Sequence, residues 1–210
     1  MSEYHLDRTL SLLAFCGIIG PIFYTIVLII LGLLRPGYSH VTQSMSELGE
    51  VGGPNAIMMN TIGFPLLGFL LIAFAIGLHR GLSEGEGSML GPGLIVLSGV
   101  GLIGSGIFPC DPGCIDVTLV SKMHSIMATI AAFAMIFAAL AIFYRVKNDL
   151  LWQNYQLYSL LTGIVTAIIA SAYMVFEPWL GVFQRLSMGV SLLWIEIMAI
   201  QLLRLSHQSK

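Results

Sequence analysis

Long apolar runs at about 9–34, 57–79, 88–108, 121–144, 155–176 and 180–203 divide the chain, with short polar connections between them. Roughly 20 apolar residues are enough to carry a helix across a bilayer core of about 30 Å. The pattern therefore predicts an all-α fold: six transmembrane helices in one bundle, a single domain over residues 1–210 with no room for a soluble one. A transmembrane β-barrel is excluded because the runs are continuous and do not alternate with period two. The first run is too long for a signal-peptide core and no A-x-A-like site follows it, so it is expected to be retained.

Composition agrees with this reading. Hydrophobic residues make up 57% of the chain and charged residues 10%, with a mean hydropathy of +0.90. A soluble domain carries about 25% charged residues to wet its surface. The few charges carry orientation. Arg8, Arg80, Arg145, Lys147, Arg204 and Lys210 fall on the side of both termini, whereas Arg35, Lys122 and Arg185 fall on the other. The positive-inside rule then puts the termini in the cytoplasm of a multi-pass plasma-membrane protein. A net charge of −2 without a basic cluster argues against nucleic-acid binding.

The densest polar stretch is the connection from Arg35 to Asn55, RPGYSHVTQSMSELGEVGGPN, expected to face outward. Pro36-Gly37 stops the first helix, and Gly52-Gly53-Pro54-Asn55 is a turn cluster that launches the second. Ser44 and Glu47 have capping-box spacing, which predicts a short helix ended by Gly49. Glu47 has two readings, cap or site residue, and spacing does not choose between them. Cys110 and Cys114 bracket Asp-Pro-Gly on the same side, where an oxidising compartment would permit a disulfide that the sequence leaves open. Cys16, within the first span, reads as a small packing residue.

Polar residues inside the spans need partners. Asn60 lies one turn inside the second span. The third span is rich in glycine, which suits close helix packing. His124 opens the fourth on a stripe of mostly small residues. Tyr158, Thr162, Thr166 and Tyr173 share a face of the fifth, leading towards Glu177. Arg185 and Glu196 share a face of the sixth, about 16 Å apart by helical rise. A carboxylate at that depth is costly unless paired, protonated or wet, which marks Glu196 as an intramembrane polar group with a role. Arg204, about 12 Å further on, is out of its reach.

These residues suggest a site. Arg35 and Arg185, with Tyr38, Ser46, Asn55 and Gln184, would bind an anionic headgroup, since guanidinium forks match phosphate or carboxylate oxygens. Glu47, Asp111 and His124 would be the acid/base or orienting groups. Ser46 lacks the G-x-S-x-G surroundings of a recognised nucleophile. Glu47, Asp111 and His124 are also zinc-type ligands, but a single well-placed histidine is a poor zinc set, and neither metal nor cofactor is expected. The first expectation is thus a protein that binds or processes a membrane lipid. A small transporter or ion-linked protein using Glu196 and the Thr162/Thr166 seam is the alternative, though the two halves show no inverted repeat. A structural subunit in which the polar groups only tie loops to the bundle is the third. A homo-oligomer or a membrane-protein partner stays open.

The ordered set Arg35 to Tyr38, Ser46 to Gly49, Gly53 to Asn55, Gly106 to Asp111, His124, and Gly181 to Arg185 with Trp194 resembles the domain-of-unknown-function 998 family over nearly the whole chain. That resemblance implies a six-helix membrane protein with no established activity. A fainter similarity, on Ser46 to Gly49, His124 and Trp194/Glu196, runs to the FRAG1/PGAP2-like and damage-regulated autophagy modulator membrane proteins. Some of those act in lipid-anchor remodelling, which by analogy implies lipid chemistry.

Overall fold

The structure is a computed structural model that describes residues 7–83, 85 and 87–207, without the side chains of Tyr173, Met174 and Glu177. The expected Tyr173 and Glu177 end of the fifth-span seam therefore lies outside the described residues, as does Lys210.

Six long helices replace the six apolar runs: α1 Arg8–Leu34, α2 Ala56–Gly81, α3 Leu90–Ile107, α4 Leu119–Arg145, α5 Gln156–Val175 and α6 Leu180–Ser206. Among the described residues there is no strand. Helix ends follow local chemistry. Asp7 accepts the Leu10 N–H at 3.0 Å, and Thr118 accepts the Ser121 N–H at 3.2 Å, which starts α4 ahead of the apolar run. Within α2, Met59–Gly63 forms a π-turn immediately before Pro65. Proline has no N–H and crowds the preceding turn, so the ladder widens there.

Each helix packs on the next in the chain, and α6 returns to α1, closing a ring. Both termini share one face: the Asp7 N–H donates to the Ser206 carbonyl at 3.0 Å, and the Ser11 and Ser206 hydroxyls lie 2.8 Å apart. We call this the termini face and the opposite one the loop face. Towards the termini face α2 reaches across the ring to α6, and Leu78, Ile142, Trp152, Met198 and Leu202 fill the centre with no exposed surface. The Trp152 indole N–H donates to the Gly81 carbonyl at 2.8 Å.

The α3 glycines allow close helix approach. A Cβ on Gly99 would meet the Gly68 backbone of α2, and one on Gly101 would meet the Met127–Ala131 backbone of α4. Contact at that range, rather than apolar burial, holds helices together in lipid. Gly93 is the exception, with open space before it. On the outside, Ile19, Ile22, Ile26 and Ile29 of α1 and Phe133 and Phe137 of α4 are exposed. An apolar exterior on six helices long enough to cross a bilayer makes this a multi-pass membrane protein.

Candidate functional site

The first connection is tied down along its length. Ser46–Gly49 forms the expected short turn, with Ser44 and Glu47 as a reciprocal cap: Glu47 Oε1 accepts the Ser44 N–H at 2.8 Å, and the Glu47 N–H reaches Ser44 Oγ at 3.3 Å. Glu47 Oε2 accepts from the Gln43 amide at 2.7 Å. Asn60, aimed by the π-turn, donates to the Gly49 carbonyl at 2.6 Å, and Asn55 donates to the Leu31 carbonyl at 2.8 Å. A Cβ at Gly49 would collide with the Asn60 amide.

Two arginines complete the docking. Arg35 donates to Glu50 Oε1 at 2.5 Å and to the Glu47 carbonyl, with the two side chains only 14% and 11% exposed. Arg185 spends one nitrogen on the carbonyls of His40, Gln43 and Gly181, each at 2.9 Å, and the other on the Tyr38 hydroxyl. Both guanidiniums lie near the Tyr38 ring, 5.7 Å and 5.6 Å from its centre, and its hydroxyl donates to the Ser44 carbonyl at 2.7 Å. Burial holds this phenol above its ordinary pKa although both guanidiniums pull it down, so it stays a neutral donor. Gln184 accepts the Met45 N–H at 2.7 Å.

The second loop-face segment joins the first through Glu50, whose Oε2 accepts the Gly113 N–H at 2.6 Å, and through the Val51 N–H to Cys110 carbonyl bond at 2.8 Å. Cys110 and Cys114 are disulfide-bonded. Asp111 turns its carboxylate to Thr118, accepting from its N–H at 2.7 Å and its hydroxyl at 3.0 Å.

Beneath this cap lies a pair with different chemistry. His124, 3% exposed, points Nδ1 at the carbonyls of Ser105 (2.9 Å) and Phe108 (2.8 Å). Carbonyls only accept, so Nδ1 carries the proton and Nε2 is left as an acceptor. Ser46 Oγ lies 3.0 Å from that Nε2 and donates to it.

Ser46 also lines a cavity of about 250 Å³ to which all six helices contribute. Its walls are largely apolar, with Phe64, Leu71, Leu102 and Met135 among them, and it ends where the packed centre begins. Ser105, Gln184 and Ser191 add polar groups, and Thr166 lies 3.4 Å from Ser191 through their hydroxyls. Tyr24, also in the wall, is 1% exposed, and its buried hydroxyl has no hydrogen-bond partner among the described residues. Thr129 and Ala132 of α4 line the cavity yet remain exposed, so it reaches the bundle surface beside α4, where Ala170 of α5 faces it. Nearer the termini face the same two helices close up, Gly163 against Leu140.

The family model for the protein of unknown function DUF998 matches residues 18–201. The chain belongs to the DUF998 family. No curated protein and no solved structure matches it. The expected DUF998 resemblance thus holds, while the similarity to FRAG1/PGAP2-like and autophagy-modulator proteins finds no support in these comparisons.

In this DUF998 protein the sequence-selected residues separate into two groups. Arg35, Tyr38, Asn55, Arg185 and Glu47 meet each other and the backbone, so the guanidinium forks expected to meet a headgroup are instead taken up by carbonyls, a carboxylate and a phenol. Asp111 is absorbed by Thr118. Glu47, Asp111 and His124 do not gather into a ligand set: among the described residues no cluster of three histidine, cysteine or acidic side chains forms. Ser46 and Gln184 reach the cavity, with His124 behind Ser46. Glu196, half-buried, has neither a hydrogen bond nor an ion pair among the described residues, and the helix crossing packed below the cavity separates the loop-face cap from the termini face. Sequence reasoning passed over Glu50, Tyr24 and Ser105. Glu50 had a signal, being the second carboxylate of the connection and following the Gly49 stop.

Proposed function

We propose that this protein binds a membrane lipid by its hydrocarbon part, with the chain in the six-helix cavity and the polar end at Ser46 and Gln184 beneath the first connection. The observation that carries this reading is the cavity itself, largely apolar along its walls, with Ser46 and Gln184 at its loop-face end and a few hydroxyls such as Thr166 and Ser191 deeper, and reaching the bundle surface beside α4. Ala128 to Met135 on α4 runs along it for about 10 Å of helical rise. At about 250 Å³ it falls just under the ~300 Å³ at which drug-sized pockets begin, a size for one acyl or prenyl chain rather than a whole phospholipid. The opening beside α4 would give such a chain access from the bilayer.

The Cys110–Cys114 disulfide and the lysine/arginine bias both support an orientation with the loop face outside a plasma membrane. The lipid would then come from the outer leaflet. Recognition differs from an arginine-clamped headgroup: the arginines hold the cap, and the cavity selects the chain.

The test is photo-crosslinking with a phospholipid carrying a diazirine at mid-chain. Adducts should map to cavity residues such as Leu102, Met135 or Met188, in preference to the exposed Ile19–Ile29 face of α1. Adducts spread over the lipid-facing exterior alone would overturn the proposal.

A further inference from the structure

We propose that Ser46 and His124 form an acyl-transfer centre acting on an ester of the lipid held in the cavity, an assignment that rests on the lipid reading above. The geometry is that of a nucleophile and its base. Ser46 Oγ is 3.0 Å from His124 Nε2, within the range for direct proton transfer. The imidazole is fixed from behind by the Ser105 and Phe108 carbonyls on Nδ1, which set its tautomer and orientation as a carboxylate does in a catalytic triad. A purely structural histidine in this place needs only the two carbonyls; here Nε2 is in addition aimed at a hydroxyl that borders the cavity.

The second observation is Tyr24. Its hydroxyl is buried, lines the same cavity and has no hydrogen-bond partner among the described residues. A buried hydroxyl without a partner costs free energy, so a donor held idle there fits an oxygen that arrives with the ligand. A tyrosine hydroxyl is one of the side-chain donors that can stabilise an oxyanion.

The step is as follows. Ser46 Oγ attacks the ester carbonyl carbon, its proton passes to His124 Nε2, and the carbonyl π-pair moves onto oxygen, which accepts from Tyr24. The pair returns, the bond from the carbonyl carbon to the alcohol oxygen breaks, and His124 gives its proton to that oxygen. The acyl group now sits on Ser46. A hydroxyl acceptor, either water or the alcohol of a second lipid, repeats the sequence in reverse and frees Ser46. No oxidant, reductant or metal is needed for the balance.

The experiment treats the full chain in detergent micelles with a long-chain alkyl fluorophosphonate, followed by peptide mapping, with co-purifying lipid measured on the same samples. A single adduct on Ser46 is expected, absent in Ser46→Ala. His124→Gln keeps a hydrogen-bonding group but no base, and should slow labelling by roughly 100-fold or more while its thermal unfolding stays that of a folded protein. Lipid bound but Ser46 unlabelled in the wild type would overturn the acyl-transfer centre and leave lipid binding standing. Labelling at the wild-type rate in folded His124→Gln would reduce the pair to a structural tie. Wild type carrying no lipid and no label would remove both readings.

Discussion

Arg185 of α6 and Tyr38 of the first connection are locked together: the guanidinium donates to the phenol oxygen and lies 5.6 Å from the centre of its ring. They are 147 residues apart in sequence, and through the His40 and Gln43 carbonyls that Arg185 also binds, the first connection is tied to α6. A lysine cannot reproduce this fork. Arg185→Lys should therefore cost about 1–3 kcal/mol and expose the connection, because half-buried carbonyls lose their donors. Limited proteolysis within residues 38–46 should rise in step with the fall in thermal stability. An unchanged cleavage rate would show that the cap is held by something else.

Arg35 and Glu50 form the second clasp. Removing one partner leaves the other charge mostly buried, so Arg35→Ala should destabilise by about 2–4 kcal/mol, less than a fully buried pair because both side chains keep some exposure. Arg35→Met with Glu50→Leu should recover part of the loss. Detergent-solubilised thermal unfolding of Arg35→Met, Glu50→Leu and the double variant, beside Arg35→Ala, measures this. A double variant worse than the sum of the single ones would contradict the pairing.

His40 makes the clasp pH-sensitive. Its ring packs against Gly32 of α1 and stands edge-on to Tyr38 at 5.2 Å. Burial, and then the Arg185 charge, hold its pKa below the ordinary 6.5. Between that lowered folded value and 6.5 the unfolded chain binds more protons than the folded one, so stability falls as pH drops through this window and is flat in this respect above it. Melting temperatures of wild type and His40→Gln from pH 7.5 to 5 should separate below 6.5, with the wild type declining more steeply. Parallel curves would show that His40 does not set this pH dependence.

Much of this was legible from residue order. Uncharged runs fixed the spans to within a few residues, and Ser44 with Glu47 announced the cap they form. Arg35 and Arg185 stand out among the few charges, but the carbonyls they bind do not, because a backbone carbonyl leaves no mark in a sequence. Ser46 and His124 lie 78 residues apart and meet only because the ring brings α4 beneath the first connection. The cavity was invisible for a related reason. In a bilayer, lipid-facing and cavity-facing positions are both apolar, so Ile22 outside and Leu71 inside read alike. Tyr24 carries no mark in the sequence because its idle hydroxyl is a fact about its neighbours.

Ala132 is the best place to block the cavity, since it lines the wall and is exposed at the opening without contributing to the packed centre. Native mass spectrometry of the purified protein should find a bound lipid in the wild type. The same measurement on Ala132→Trp, folded with an unchanged melting temperature, should find it gone, because the indole fills the opening. A wild type free of lipid, or equal lipid in both proteins, would contradict the cavity as the binding site.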